Sequence, residues 1–118
     1  MNYYIKHKIR KVNQKDLHIG KDSGGAEFCF MAQEACGFYN TPTLKNKVDW
    51  FEFMFLNDDL IYSEEDIQIT FLEFAEIVMK SKKDGNTNIY DKCSEYGDSS
   101  HTYYKDKDGF AFDTTEFE

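Results

Sequence analysis

The residues best suited to chemistry are concentrated in one stretch near the start of the chain, residues 17–31. This stretch holds three of the seven glycines together with a His, a Lys and a Cys. Residues 20–25 read Gly-Lys-Asp-Ser-Gly-Gly, and the N–H groups of such a loop can converge on a phosphate. One hypothesis is therefore a site for a nucleotide or a small anion, formed by His18, Lys21, Ser23, Gly24 and Gly25.

The glycine loop does not match the established phosphate-binding motifs. A Walker A loop reads Gly-x4-Gly-Lys-Ser/Thr and leads into a helix. Here the residues that follow, 26–32, alternate in the way that predicts a strand. The competing interpretation is a plain connecting loop between two strands, since glycine commonly serves turns alone.

Metal and nucleophile chemistry have less support in the sequence. Zinc ligands usually come in pairs two to five residues apart, and the nearest candidates, Cys29 and Cys36, are further apart than that. Residues 106–109, Asp-Lys-Asp-Gly, imitate the start of a calcium loop, but position 12 is Phe117 instead of Glu. Asp-Gly is typical of a tight turn. We therefore expect no metal, no cofactor and no enzymatic activity.

The charge distribution is more informative than the net charge of −8. Residues 1–25 carry a net charge of +4, and the remainder carries −12. Residues 49–79 contain nine carboxylates and no Lys or Arg. Such a surface repels phosphate backbones and attracts basic grooves, although acidic surfaces also serve solubility alone. The predicted partner-binding residues are Asp58, Asp59, Glu64, Glu65 and Asp66.

Hydrophobic patterns indicate the elements that position these residues. Alternation over residues 3–12 predicts a strand with a basic face, not a disordered nucleic-acid arm. A largely buried helix is predicted from Thr41-Pro42 to about Asn57. A hairpin is predicted around residues 63–66, and a second helix follows the capping box formed by Thr70 and Glu73.

Gly85 should stop the second helix, and a final hairpin should turn at residues 106–109. Together these elements predict a single α+β domain over residues 1–118. Its expected architecture is a small antiparallel sheet of five to six short strands with two helices packed on one face. No apolar run approaches the roughly 20 residues that span a bilayer, so we expect a cytoplasmic protein without membrane contact.

Several of these segments together resemble a family of small uncharacterised phage and prophage proteins. The resemblance depends on His-Ile-Gly-Lys-x-Ser-Gly-Gly at residues 18–25, the helix with Trp50, the Ile-Tyr-x-Glu-Glu pattern from residue 61, and Asp-x-Asp-Gly-Phe-x-Phe from residue 106. It covers the chain from about residue 17 onwards. The chain departs from the family pattern at residues 26–27, where an aromatic tends to follow the glycines. The resemblance implies a mobile-element origin and no catalytic residue.

Small acidic phage proteins without an enzyme motif are often inhibitors of host defence, including anti-CRISPR proteins. The first hypothesis is therefore a DNA-mimicking inhibitor in the host cytoplasm that binds a CRISPR effector or another nuclease and does not itself bind nucleic acid. The alternatives are the nucleotide or small-anion binder described above and a homo-oligomeric phage structural or regulatory protein. A homodimer is considered because two aromatic helices offer more apolar surface than a small core can cover.

Overall fold

A six-stranded sheet organises the fold. A computed structural model describes residues 1–8, 12–88 and 102–114. The strands follow the spatial order β4-β1-β2-β3-β6-β5. Their bounds are Asn2–Ile5 for β1, Leu17–Lys21 for β2, Cys29–Met31 for β3, Ile61–Ser63 for β4, Tyr103–Lys105 for β5 and Ala111–Asp113 for β6. Two helices, α1 at Lys47–Leu56 and α2 at Phe71–Lys83, complete the α+β fold that the sequence predicts.

The sheet is mixed, whereas the sequence predicts an antiparallel one. Four of the neighbouring pairs are antiparallel, but β3 and β6 run parallel, with Phe30 opposite Phe112. A parallel neighbour requires a long crossover connection. Both helices lie in the chain between β3 and β6, so the chain can re-enter the sheet beside β3 in the same direction.

Both helices bury apolar side chains against one face of the sheet. Trp50 and Met54 of α1 and Phe74 and Val78 of α2 are fully buried in the same cluster as the strand residues. The Phe74 ring meets the Tyr3 ring edge-on, with ring centroids 5.3 Å apart. The indole Nε1 of Trp50 donates a hydrogen bond of 3.0 Å to the Met31 carbonyl, which fixes α1 on β3.

The second helix begins and ends where the sequence predicts. The Thr70 hydroxyl accepts from the Glu73 N–H at 3.1 Å, and the Glu73 carboxylate accepts from the Thr70 N–H at 3.2 Å. Gly85 follows the helix with a φ of 70°, a conformation that glycine adopts without strain. Within the described ranges, neither helix has the length and apolar character needed to cross a membrane.

The predicted start of the first helix is wrong. The helix begins at Lys47, and the Asn46 side chain caps it by accepting from the Asp49 N–H at 2.8 Å. Thr41 and Leu44 instead pair through their backbones with Cys36 and Gln33. These pairings hold residues 41–44 extended, so the helix cannot begin until they end.

The basic N-terminal segment contributes an internal strand, β1, between β2 and β4. The described strand ends at Ile5 instead of continuing to residue 12, and residues 9–11 lie outside the described residues. The Lys6 ammonium pairs with Asp66, so this part of the basic edge faces the acidic part of the chain, as predicted.

Candidate functional site

The glycine loop joins β2 to β3 and is tied to the rest of the protein through its backbone. The Asp22 N–H donates to the Met1 carbonyl at 2.9 Å, and the Glu27 N–H donates to the Thr87 carbonyl at 2.8 Å. The Gly25 carbonyl in turn accepts from the Thr87 N–H at 3.0 Å. The loop thus joins the sheet to the chain that follows α2, which is a structural task.

Two of the glycines have structural reasons of their own. A Cβ on Gly20 would collide with the Cys29 carbonyl oxygen and lie 2.9 Å from the Phe30 Cα, because β2 and β3 approach closely there. Gly25 has a φ of 78°, a backbone conformation that residues other than glycine rarely adopt. Neither glycine therefore requires a bound anion to explain its presence.

The structure places the His18 ring against residues of β1. Its ring is buried, stacks on Tyr4 with centroids 4.8 Å apart, and has its Nε2 3.0 Å from the Asn2 Oδ1. A bulge in β2 produces this placement, because Tyr3 pairs with Gly20 while Tyr4 pairs with His18. His18 lines a cavity of about 350 Å³ whose walls include none of residues 20–25. The five residues of the anion hypothesis therefore do not line this cavity together.

Metal ligands do not cluster in the part of the chain that the structure describes. No group of three His, Cys, Asp or Glu side chains there is arranged to hold a metal ion. Two further residues of metal-binding types, Cys93 and His101, lie outside the described residues.

The Asp-Lys-Asp-Gly turn at residues 106–109 is a structural clamp. One oxygen of Asp106 accepts from the Asp108 and Phe110 N–H groups at 3.0 and 2.8 Å, and the other accepts from the Lys47 N–H at 2.7 Å. The Lys82 ammonium donates to the Gly109 carbonyl at 2.9 Å. Asp106 thus joins the β5–β6 hairpin to the start of α1, and the predicted turn is confirmed.

Two of the five predicted partner-binding carboxylates contact the N-terminal segment of the chain. Glu64 accepts from the Asn2 N–H at 2.8 Å and lies 3.6 Å from the amino terminus, and the Asn2 hydrogen bond lowers the pKa of Glu64. Asp66 pairs with Lys6, which raises the pKa of the lysine. The same Lys6 ammonium lies 4.0 Å from the centre of the Tyr62 ring.

The other three differ in their roles. Asp58 accepts from the Phe71 N–H and so helps to begin α2. Asp59 and Glu65 are exposed, and within the described ranges neither side chain makes an ion pair. The five carboxylates are therefore not one uniform acidic surface, since only these two present an unneutralised charge with no structural task.

A second surface lies on the outward sides of α1 and α2, the two helices whose apolar surface the sequence indicates to be larger than a small core can cover. Phe55 and Leu56 at the end of α1 are 67% and 71% exposed, and Leu72 at the start of α2 is 76% exposed. Val48 and Met79 extend this apolar exposure along the two helices. Large apolar residues on a helix normally face the core. In α1, however, only the side with Trp50 and Met54 is fully buried.

Aromatic contacts join the two helices to each other. The Phe71 ring meets the Phe51 and Phe55 rings edge-on, with centroids 5.4 and 5.9 Å apart. Glu52 and Glu76 lie exposed among the apolar side chains, and neither makes an ion pair within the described part of the chain. We call this surface the helical face; its members are Val48, Glu52, Phe55, Leu56, Leu72, Glu76 and Met79.

The sequence signal for the helical face is the apolar excess of the helices, from which the sequence suggests a homodimer. The apolar residues of α1 occupy both sides of the helix, whereas a helix that packs on a sheet needs only one apolar side.

No family model, curated protein or solved structure matches this chain. The geometry of the described residues must therefore support the functional argument.

Proposed function

We propose that the protein is a non-enzymatic binding protein that docks on a basic protein partner through the helical face. The observation that supports this proposal is the combination of highly exposed Phe55, Leu56 and Leu72 with carboxylates that have no ion pair within the described ranges. Contiguous apolar surface of this kind marks interaction sites. The carboxylates around it select a partner of positive charge.

Charge also argues against a second copy of the chain as the occupant. Residues 49–79 contribute nine carboxylates and no Lys or Arg. A symmetric dimer through the helical face would bring the same patch on both subunits together. Glu52 and Glu76 would then face carboxylates of the partner subunit, and like charges in contact oppose association.

The biological setting that we propose is inhibition of host defence by a phage protein. A CRISPR effector or another nuclease holds nucleic acid in a basic channel, and an acidic surface with exposed apolar anchors is complementary to such a channel. The resemblance of residues 18–25 and 106–112 to small phage proteins supports the same setting. The account requires neither catalysis nor direct contact between this protein and nucleic acid.

Inhibition of a panel of purified nucleic-acid-handling effectors tests this proposal. The wild type is compared with the double variant Phe55→Ser/Leu72→Ser and with a variant in which Asp58, Asp59, Glu64, Glu65 and Asp66 are changed to the corresponding amides. The proposal predicts that the wild type inhibits at least one effector and that the double variant loses this inhibition. Full inhibition by the double variant would contradict docking through the helical face.

The five-carboxylate variant separates the two acidic regions. If the partner contacts the helical face, this variant should keep most of the inhibition. It should mainly associate more slowly with the effector, because charges near an interface act through electrostatic steering. Complete loss of inhibition by a folded five-carboxylate variant would show that the partner binds these five carboxylates, as the sequence predicts.

A further inference from the structure

We propose that a cleft beside α1 receives an arginine side chain of the basic partner. This inference rests on the proposed function and specifies the chemistry that the helical face recognises. The cleft has a volume of about 250 Å³ and lies between α1 and residues 42–44, which run alongside it. It opens next to Leu56, so it is continuous with the helical face.

The cleft has an apolar interior and an acidic rim. Pro42, Leu44, Phe53 and Leu56 supply its apolar lining, and Leu44 is almost completely buried. Asp49 and Glu52 lie at the rim. Residues three apart on a helix lie on the same side, so both carboxylates can reach one cation placed in the cleft.

The two carboxylates differ in how firmly they are held. Asp49 accepts a hydrogen bond of 3.2 Å from the Asn46 side-chain amide through its Oδ2, which fixes the direction of the carboxylate. Glu52 lies nearly one turn further along α1, is exposed, and makes no ion pair within the described residues. One acceptor is thus preorganised, and the other is able to adjust to an incoming group.

The nearest lysines of the chain have other partners. The Lys45 ammonium pairs with Glu34. The Lys47 ammonium lies 3.7 Å from an Asp108 carboxylate oxygen and 5.1 Å from the centre of the Phe110 ring. No lysine or arginine lies among the cleft-lining residues, so the structure leaves its acidic rim for a cation from another molecule.

Arginine fits this cleft better than the other cations do. Its aliphatic stem can lie on the apolar lining while its charged end remains near the rim. The guanidinium is planar, weakly hydrated and able to stack on aromatic rings such as that of Phe53, and its fork of donors can bind two carboxylates at once. Lysine offers the stem without the planar fork, so we expect it to bind more weakly.

An NMR titration tests this inference without a known partner. The probe is Nα-acetyl-arginine N-methylamide, and its matched control is the citrulline analogue, which has the same shape but no charge. We expect saturable amide shifts confined to residues 43–44 and 49–56 with the arginine probe, and about tenfold weaker binding of the citrulline probe, which is equivalent to 1.4 kcal/mol. Shifts spread over every acidic region, or equal binding of both probes, would overturn the inference.

Two variants locate the binding. Glu52→Gln should weaken arginine binding severalfold, whereas Glu65→Gln, which removes an exposed charge outside the helical face, should leave it unchanged. Equal effects of the two variants would mean attraction by overall charge and would also overturn the inference.

The effector panel distinguishes failure of this inference from failure of the proposed function. If Glu52→Gln inhibits like the wild type while Phe55→Ser/Leu72→Ser does not, the cleft is not the specificity pocket and the docking surface stands. If the cleft binds arginine but no variant of the helical face changes inhibition, the cleft stands and the proposed function fails.

Discussion

The inward and outward sides of the two helices are both rich in large apolar residues, yet only the inward side contributes to the core. Trp50 and Phe74 are completely buried, whereas Phe55 and Leu72 are mostly exposed, although each exposed residue lies within a few positions of a buried one. The inward side packs against the sheet, and part of the outward side has no described neighbour to pack against. We propose that a second molecule covers the apolar residues that the described part of the fold leaves exposed.

A similar contrast separates two groups of carboxylates. Asp106 and Glu64 accept hydrogen bonds from backbone N–H groups and hold strands and turns in place. Glu52 and Glu76 on the helical face make no ion pair within the described ranges. The first group stabilises the domain, and the second group is available for recognition.

The largest expected effect tests the contrast within α2. Phe74→Ala should lower the free energy of unfolding by about 4 kcal/mol, because it leaves a cavity between α2 and the sheet. Leu72→Ser, two residues away, should change it by less than about 0.5 kcal/mol, as is usual for exposed positions. Urea denaturation measures both variants, and a loss of several kcal/mol for Leu72→Ser would break the comparison by showing that the outward side also supports the fold.

The next effect concerns Asp106. Asp106→Ala removes the acceptor of three backbone N–H groups and should lower the free energy of unfolding by about 3 kcal/mol, since hydrogen bonds to charged groups are the strong ones. Asp108→Ala is the control, because within the described residues its carboxylate makes only a long ion pair with Lys47. Similar unfolding curves for the two variants would show that the clamp is not important for stability.

A smaller effect appears in the pH dependence of stability through Glu64. The Asn2 hydrogen bond lowers the pKa of Glu64 from its ordinary value of 4.5. The folded state therefore gains stability from ionised Glu64 above that value, and this stability is lost as the pH falls through the folded-state pKa. The unfolding free energy of Glu64→Gln should thus fall less steeply on acidification than that of the wild type.

Glu65→Gln serves as the control for this pH measurement, since Glu65 makes no ion pair within the described residues. It should retain the wild-type acid dependence. Identical profiles for Glu64→Gln and the wild type would show that Glu64 belongs with the carboxylates available for recognition.

Local signals in the sequence predict much of the fold. The capping box of Thr70 and Glu73, the stop at Gly85 and the turn at residues 106–109 depend on nearby residues, and each is confirmed. The start of α1 is not predictable in this way, because Thr41 and Leu44 are held by Cys36 and Gln33 across a loop. The parallel pairing of β3 with β6 also depends on residues far apart in the chain.

The candidate site is less predictable because sequence shows composition but not partners. The nine carboxylates of residues 49–79 look equivalent in the sequence. Only the structure shows that Asp58 accepts from the Phe71 N–H at the start of α2, that Asp66 pairs with Lys6, and that Glu52 makes no ion pair within the described residues. Likewise, the sequence predicts a largely buried α1, whereas α1 leaves Phe55 and Leu56 exposed.

Hydroxyl-radical footprinting of the protein, alone and with an effector that it inhibits, tests the docking surface most directly. The account predicts that oxidation of Phe55, Leu72 and Met79 falls severalfold in the complex, because these side chains become covered. Val12, which is exposed but lies outside the helical face, should be oxidised equally in both states. Unchanged oxidation of the helical residues, with protection elsewhere on the protein, would contradict the account.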